Sequence, residues 1–419
     1  MRTVLAAVLI AFAICAFGQA DEPVRAQARA HKAPLLDTLK QLVSIESDSR
    51  NVEGLERIAN LIAERLKTLG GDVTLAEPVD VYKMEDTPER IGRMVRASFK
   101  GTGSKKILLI AHMDTVYPRG MLEKQPFRVD GERAYGLGIS DDKQGVALIL
   151  HTVAMLQALG FKDYGTLSVL INGDEEISSP GSRALLTRLG GEHDATLSFE
   201  ASRVDSDKLA LATAGIASVA LRVQGKASHA GGAPHLGINA LYELSHQILQ
   251  TRDLSDPATG VKMNWTVARA GMNRNVIPPA AEAVADVRVL RVADYDRIEA
   301  AVRERIKKQL LPEAKVSLVF ERRRPPLEAS PASAALAKHA QQIYKEIGMN
   351  LVVDAVAEGG GTDAAFAALK TQNAVVERFG LRGFGAHSTD DEYVLISSIE
   401  PRLYLAARMI IDLAREKVR

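Results

Sequence analysis

Three short stretches of this chain gather carboxylates and imidazole in a pattern that suits a hydrolytic metal centre. They are His112-Met113-Asp114, Ser140-Asp141-Asp142 and Gly173-Asp174-Glu175-Glu176. Glu200 and His387, the latter in Gly385-Ala386-His387-Ser388, extend the set. Imidazole and carboxylate without thiolate are the donors of catalytic zinc, and cobalt or manganese accept the same donors. The adjacent pair Glu175-Glu176 adds a second role. Neighbouring side chains do not easily face one ion together, so one can bind metal while the other takes the proton of an attacking water. Each feature alone is common on a solvated turn. Their positions along the chain are what give them weight.

Residues 107–111, 167–171 and 196–199 are short apolar runs without alternation, as expected of strands covered on both faces. A polar cluster follows each run directly: His112, then Asn172-Gly173-Asp174-Glu175-Glu176, then Glu200. Open α/β sheets carry their sites at that edge. Helices are expected over 52–69, stopped by Gly70-Gly71, and over 142–159, 332–347 and 399–415. Between them the pattern changes to strands at 219–223, 265–268, 283–289 and 316–320, with helices at 238–249 and 298–310. That β-α-β-β-α-β order is ferredoxin-like. The expected architecture is an α/β catalytic domain in two parts, 21–212 and 324–419, with an inserted α+β lid or dimerisation domain at 213–323. A chain of 419 residues is too long for one compact core and suits such a division.

Lys+Arg 53 against Asp+Glu 52 leaves a net charge of +1, which excludes a strong field for nucleic acid or an anionic membrane. Residues 1–20 have their own composition. Arg2 precedes an apolar run at 4–17, and small residues lead to Ala20. This is the layout of a cleavable secretory signal cut after Ala20, and the run is short of the roughly 20 residues a membrane span needs. Cys15, the only cysteine, lies inside it. The mature chain would carry no disulfide and no thiol nucleophile, which suits a secreted, periplasmic protein with no membrane attachment after cleavage. Gly136-Leu137-Gly138 lacks the third glycine of a dinucleotide loop, because residue 141 is Asp. Gly359-Gly360-Gly361 lacks the Lys-Ser/Thr of a phosphate loop.

The blocks His112-Met113-Asp114-Thr115-Val116, Gly136-Leu137-Gly138-Ile139-Ser140-Asp141-Asp142-Lys143-Gln144-Gly145 and Asn172-Gly173-Asp174-Glu175-Glu176 resemble the signatures of the M20 metallopeptidases. Gly225-Lys226-Ala227-Ser228-His229-Ala230-Gly231 and Gly359-Gly360-Gly361-Thr362-Asp363-Ala364 match further blocks. The likeness covers nearly the whole mature chain and is nearest to bacterial glutamate carboxypeptidases of the carboxypeptidase G type. It implies two Zn2+ per subunit, or Co2+ or Mn2+. His112 and Glu200 would complete one site, Glu176 and His387 the other, and Asp141 would bridge them. Glu175 would be the general base and Asp114 would orient His112. The peptide bond after Asp141 would be cis.

The same resemblance implies that His229 reaches the oxyanion from a partner subunit, so the enzyme would be a homodimer through the inserted domain. Asn275 and Arg288 would bind the terminal carboxylate, and Lys208 and Arg324 an acidic side chain. Gly360 and Thr362 would offer donors. The function implied is release of a C-terminal amino acid, preferably glutamate, from a peptide, an N-acyl amino acid or a folate-type pteroyl-glutamate. An N-acyl-amino-acid deacylase or desuccinylase of the same family is the alternative. A non-catalytic periplasmic binder of acidic peptides is the alternative of another class. His31, His151, His193, His235, His246 and His339 match no ligand position and are expected to be structural or on the surface.

Overall fold

The computed structural model describes residues 20–358, 360–388 and 390–418, so the expected signal segment lies almost wholly outside the described residues. The apolar runs form the middle of a six-stranded sheet. Its order is Asp72–Ala76, Met94–Lys100, Thr166–Asn172, Lys106–His112, Ala195–Ser198 and Ala374–Val376. The last four are mutually parallel, with Lys106 opposite Thr166 and Ile107 opposite Ala195. The lack of alternation has a simple cause. In Lys106–His112, Ile107, Leu109 and Ala111 enter one core while Leu108 and Ile110 enter another, so both faces are buried.

The larger core is closed by the helices Glu22–Val43, Val52–Thr68, Gln144–Ala158, Pro331–Glu346 and Ile399–Ala414. The smaller one is closed by Arg183–Glu192 and Ala364–Ala368. Burying a side chain such as Leu108 or Leu109 stabilises by about 1.5–3 kcal/mol, which makes these strands a firm base for the loops above them. Val52–Thr68 begins where Asn51 accepts from the N–H of Gly54 and ends before Gly70, which sits at φ 76° where glycine is favoured. The expected helix over 142–159 starts two residues later, at Gln144. Asp141 and Asp142 have non-helical backbone, that of Asp141 extended, and are joined by the expected cis peptide bond. The chain there serves the site instead of the helix.

Gly215–Gln224, Lys262–Ala270, Ala280–Val289 and Lys315–Arg324 form a separate antiparallel sheet. Its order, with Lys262–Ala270 at one edge and Lys315–Arg324 at the other, is that of a ferredoxin-like unit. The helix expected over 298–310 lies at Ala293–Arg305. Its buried stripe begins with Tyr295, whose ring joins Ile298 and Val302 in the core of this unit.

A five-stranded sheet not anticipated from sequence joins Arg128–Asp130, Arg133–Tyr135, Tyr393–Leu395, Arg382–Phe384 and Ser202–Arg203. Its strands are only two or three residues long, too short for a local period, and two of its four pairings join segments far apart in sequence. It carries the segment bearing His387 between Phe384 and Tyr393.

Candidate active site

Three neighbouring parallel strands end side by side, and the polar clusters at their carboxyl ends therefore meet. His112 closes its strand and is buried. Its Nε2 stands 2.9 Å from Asp141 Oδ1 and 3.3 Å from Glu200 Oε1. His387 Nε2 stands 3.3 Å from the other oxygen of Asp141 and 3.1 Å from Glu176 Oε2. Two ligand triads thus share Asp141, each with its donor atoms within 4.8 Å of one another. The donors are all nitrogen and oxygen, a set that zinc, cobalt and manganese accept. Glu176 Oε1 is buried without a hydrogen-bond partner, a lone pair that a cation would satisfy. His387 is held at φ 65°, in the left-handed region that costs a non-glycine residue about 1–3 kcal/mol and that clusters at functional sites.

Asp114 organises both triads from behind. It is fully buried, with Oδ1 3.2 Å from His112 Nδ1. The same carboxylate accepts from the backbone N–H groups of Glu175 at 3.1 Å and Glu176 at 3.0 Å, and from the Ser49 hydroxyl at 2.7 Å. One side chain therefore fixes the ring of one ligand and the backbone of another, together with the adjacent base.

The profile of peptidase family M20/M25/M40 matches residues 108–412. The chain belongs to that family. Carboxypeptidase G2 of Pseudomonas sp. (strain RS-16) is 44% identical over 99% of this chain and 99% of its own length. Succinyl-diaminopimelate desuccinylase of Orientia tsutsugamushi (strain Boryong) is 25% identical over 93% of this chain and 99% of its own. The crystal structure of aminopeptidase PepT from Bacillus cereus ATCC 10987 superposes with a TM-score of 0.74 at 19% identity, covering 91% of this chain and 99% of that one. The M20 metallo-carboxypeptidase Sso-CP2 from Sulfolobus solfataricus gives 0.73 at 15% identity, covering 90% and 98%. At such identities the solved structures speak for the fold.

Electrostatics in this M20 site are dominated by burial and by the crowding of carboxylates. Burial alone would depress His112, yet Glu200, Asp114 and Asp141 hold it well above its ordinary value. Hydrogen bonds to Asp141 and Glu176 push His387 up to about 11. Burial and the neighbouring Asp141 push Glu176 up to about 7. Protons thus offset the negative charge of the cluster, and divalent cations would displace them. Glu175 is also raised, chiefly by burial and against the pull of Arg324. Its side chain pairs with the guanidinium of Arg324, whose Nη2 donates to the Glu175 carbonyl at 2.6 Å.

Arg324 is itself buried and also contacts Asp363 at 3.2 Å, so in this arrangement it faces the expected base and not open cavity. Lys208 is buried as well, with Nζ 2.5 Å from Asp354 and 3.0 Å from Glu358. Thr362 and Gly360 line a cavity of about 490 Å³ that reaches Asp141 and Glu200. The Thr362 hydroxyl donates to Glu377 at 2.5 Å, which commits its proton, and the Gly360 carbonyl accepts from Ala214.

The remaining expected residues lie on the ferredoxin-like unit. Arg288 is half-buried on Ala280–Val289 and bonds Asp286 at 2.9 and 3.1 Å. Asn275 and His229 are exposed on adjoining loops. His229 Nδ1 accepts from the N–H groups of Gly231 at 3.1 Å and Gly232 at 2.9 Å, which leaves the neutral ring's proton on the outward Nε2. Neither residue lines the cavity that reaches Asp141.

Several supporting residues had no sequence signal. Buried Glu392 accepts from the backbone N–H groups of Gly138, Ser140 and Asp141. Glu377 is buried beside Glu200. His193, close to Glu200 in sequence, is accounted for structurally by the Leu189 carbonyl at 2.7 Å and Ser168 at 2.8 Å.

Proposed function

We propose that the chain is a zinc carboxypeptidase that releases a C-terminal amino acid, preferably glutamate, from peptides, N-acyl amino acids or pteroyl-glutamates. The observation that carries this reading is the pair of ligand triads sharing Asp141, with Glu175 immediately beside them. His112, Asp141 and Glu200 would hold one ion, and Asp141, Glu176 and His387 the second. Two such ions supply a water of lowered pKa and polarise the scissile carbonyl.

The chain's own residues account for the rest of the reaction. Glu175 takes the proton of the attacking water and returns it to the leaving amine, and burial raises its carboxyl above the ordinary carboxylate range, the direction that both tasks need. Arg324 and the backbone contact to Asp114 hold that carboxylate in place. Arg288 and Asn275 bind the terminal carboxylate, and Lys208 lies nearest to an acidic side chain. Gly360 and Thr362 line its approach. His229 presents Nε2–H to the developing oxyanion from a second copy of the chain.

A homodimer through the ferredoxin-like unit is supported by the edge strand Lys262–Ala270, most of whose residues are exposed. Leu241, Tyr242, Leu249 and Val267 add exposed apolar surface on the same unit. The secreted, periplasmic address rests on the sequence of residues 1–20. No helix among the described residues is long and apolar enough to cross a membrane.

The test is steady-state kinetics of the zinc-loaded protein on pteroyl-glutamate, Ala-Glu and N-acetyl-glutamate. Turnover of the first two supports the carboxypeptidase. Turnover of the acetylated substrate alone would make the chain a deacylase instead. Replacing Glu175 with Ala should abolish turnover while metal content stays intact, which a non-catalytic binder could not show.

A further inference from the structure

We propose that Glu358 is an internal competitor for the substrate's acidic side chain, occupying a cradle of three cations on the wall of the active-site cavity and tempering the preference for glutamate. The inference rests on the carboxypeptidase reading for its substrate, but its geometry stands separately. Glu358 Oε1 lies 3.0 Å from Lys208 Nζ. Its Oε2 lies 3.5 Å from Arg203 Nη1 and 3.6 Å from Arg378 Nη2. Arg203, Arg378 and Glu358 line the same cavity as Asp141 and Glu200, so the cradle and the ligand triads open into one space of about 490 Å³.

Three cations converging on one carboxylate is the arrangement by which a protein binds a carboxylate. Here the occupant belongs to the chain itself. The Glu358 side chain is 47% exposed, so it is held by ion pairs and not by packing, and such pairs are weak and exchangeable. Lys208 keeps Asp354 as a partner when Glu358 leaves. Among the described residues, Arg378 has no ion pair other than Glu358. Arg203 keeps Asp205 at 3.6 Å, so rotation of Glu358 into solvent would leave Arg378 facing the cavity without an ion pair and Arg203 beside it with one. An incoming side-chain carboxylate must displace Glu358 to use them, whereas an uncharged side chain neither gains nor needs that exchange. Glu358 thus sets how strongly a second carboxylate is selected.

The test compares wild type, Glu358→Gln and Glu358→Ala in two measurements. One is calorimetric affinity for glutarate, a dicarboxylate without a scissile bond. The other is the ratio of kcat/KM for N-acyl-glutamate over N-acyl-glutamine. Both variants should bind glutarate more tightly and raise the ratio, each by about fivefold, the scale of one partly exposed ion pair. Unchanged or weaker glutarate affinity in both variants overturns the proposal. If wild type hydrolyses neither amide, the carboxypeptidase reading fails, and the glutarate titration alone still decides the role of Glu358.

Discussion

The carboxylate of Glu392 accepts a hydrogen bond from the backbone N–H of Asp141 at 3.1 Å, the residue shared by both ligand triads. The same oxygen accepts from Ser140 at 2.8 Å, and the other from Gly138 at 2.9 Å. The Tyr117 hydroxyl stands 2.5 Å from Glu392 and 2.9 Å from the Ser388 carbonyl. Tyr117 follows His112, and Ser388 follows His387. Glu392 and Tyr117 therefore tie together the three loops that carry His112, Asp141 and His387.

Replacing Glu392 with Gln puts an amide N–H against backbone N–H groups and loosens that tie. Outer partners of this kind are worth about 10–100-fold in metal affinity or activity. Competition with a chromophoric chelator should show weaker zinc binding in Glu392→Gln. Wild-type zinc affinity in the variant would remove Glu392 from any role in the site.

Arg324 and Glu175 are paired inside the protein, both nearly inaccessible to solvent. Removing one partner of a buried pair leaves the other charge uncompensated and costs about 3–5 kcal/mol. Arg324→Met should lower the thermal midpoint clearly. It should also depress kcat for acidic and uncharged leaving residues alike. A rise in KM confined to acidic substrates would instead make Arg324 a substrate-binding group.

Ring nitrogens of His31 and His151 meet at 2.9 Å, linking Glu22–Val43 to Gln144–Ala158. The Thr38 hydroxyl donates to the Pro34 carbonyl and accepts from Arg65. His151 Nε2, 2.9 Å away, must then be the donor to Thr38, which leaves its Nδ1 as the acceptor for His31. His151 is therefore neutral in this arrangement. Burial, with His31 and Arg65 nearby, lowers His151 to about 4 from 6.5. A folded value below the unfolded one gives stability that is complete above pH 6.5 and lost as pH falls toward 4. The ceiling is about 3 kcal/mol. Urea midpoints of metal-free wild type should fall more between pH 7 and 5 than those of His151→Gln. Equal slopes would count against this pair as the acid-sensitive contact.

Metal removal should destabilise the chain, because the folded state gathers the triads and the unfolded chain does not. Zinc at a thousand times its dissociation constant would add about 4 kcal/mol. Thermal midpoints with and without a strong chelator measure this. An unchanged midpoint would argue against zinc binding at these triads.

The sequence by itself determined three of the six strands of the main sheet, the ones followed by polar clusters, because burial on both faces leaves short apolar runs. It also determined the polar clusters at the ends of those strands, and the ferredoxin-like order of 215–324, whose strand alternation and helix periods are local signals. The resemblance to the M20 blocks implied five ligand positions and an adjacent base, and the fold gathers those five side chains into two groups around Asp141. The tertiary structure alone decided what surrounds them. Glu392 and Tyr117 carry no period and no motif, and they matter only because the fold closes a separation of 275 residues between them. Arg324 and Lys208 read as cations available to substrate. The fold sets them against Glu175, Asp354 and Glu358, since a buried charge must find its counter-charge wherever the chain supplies one.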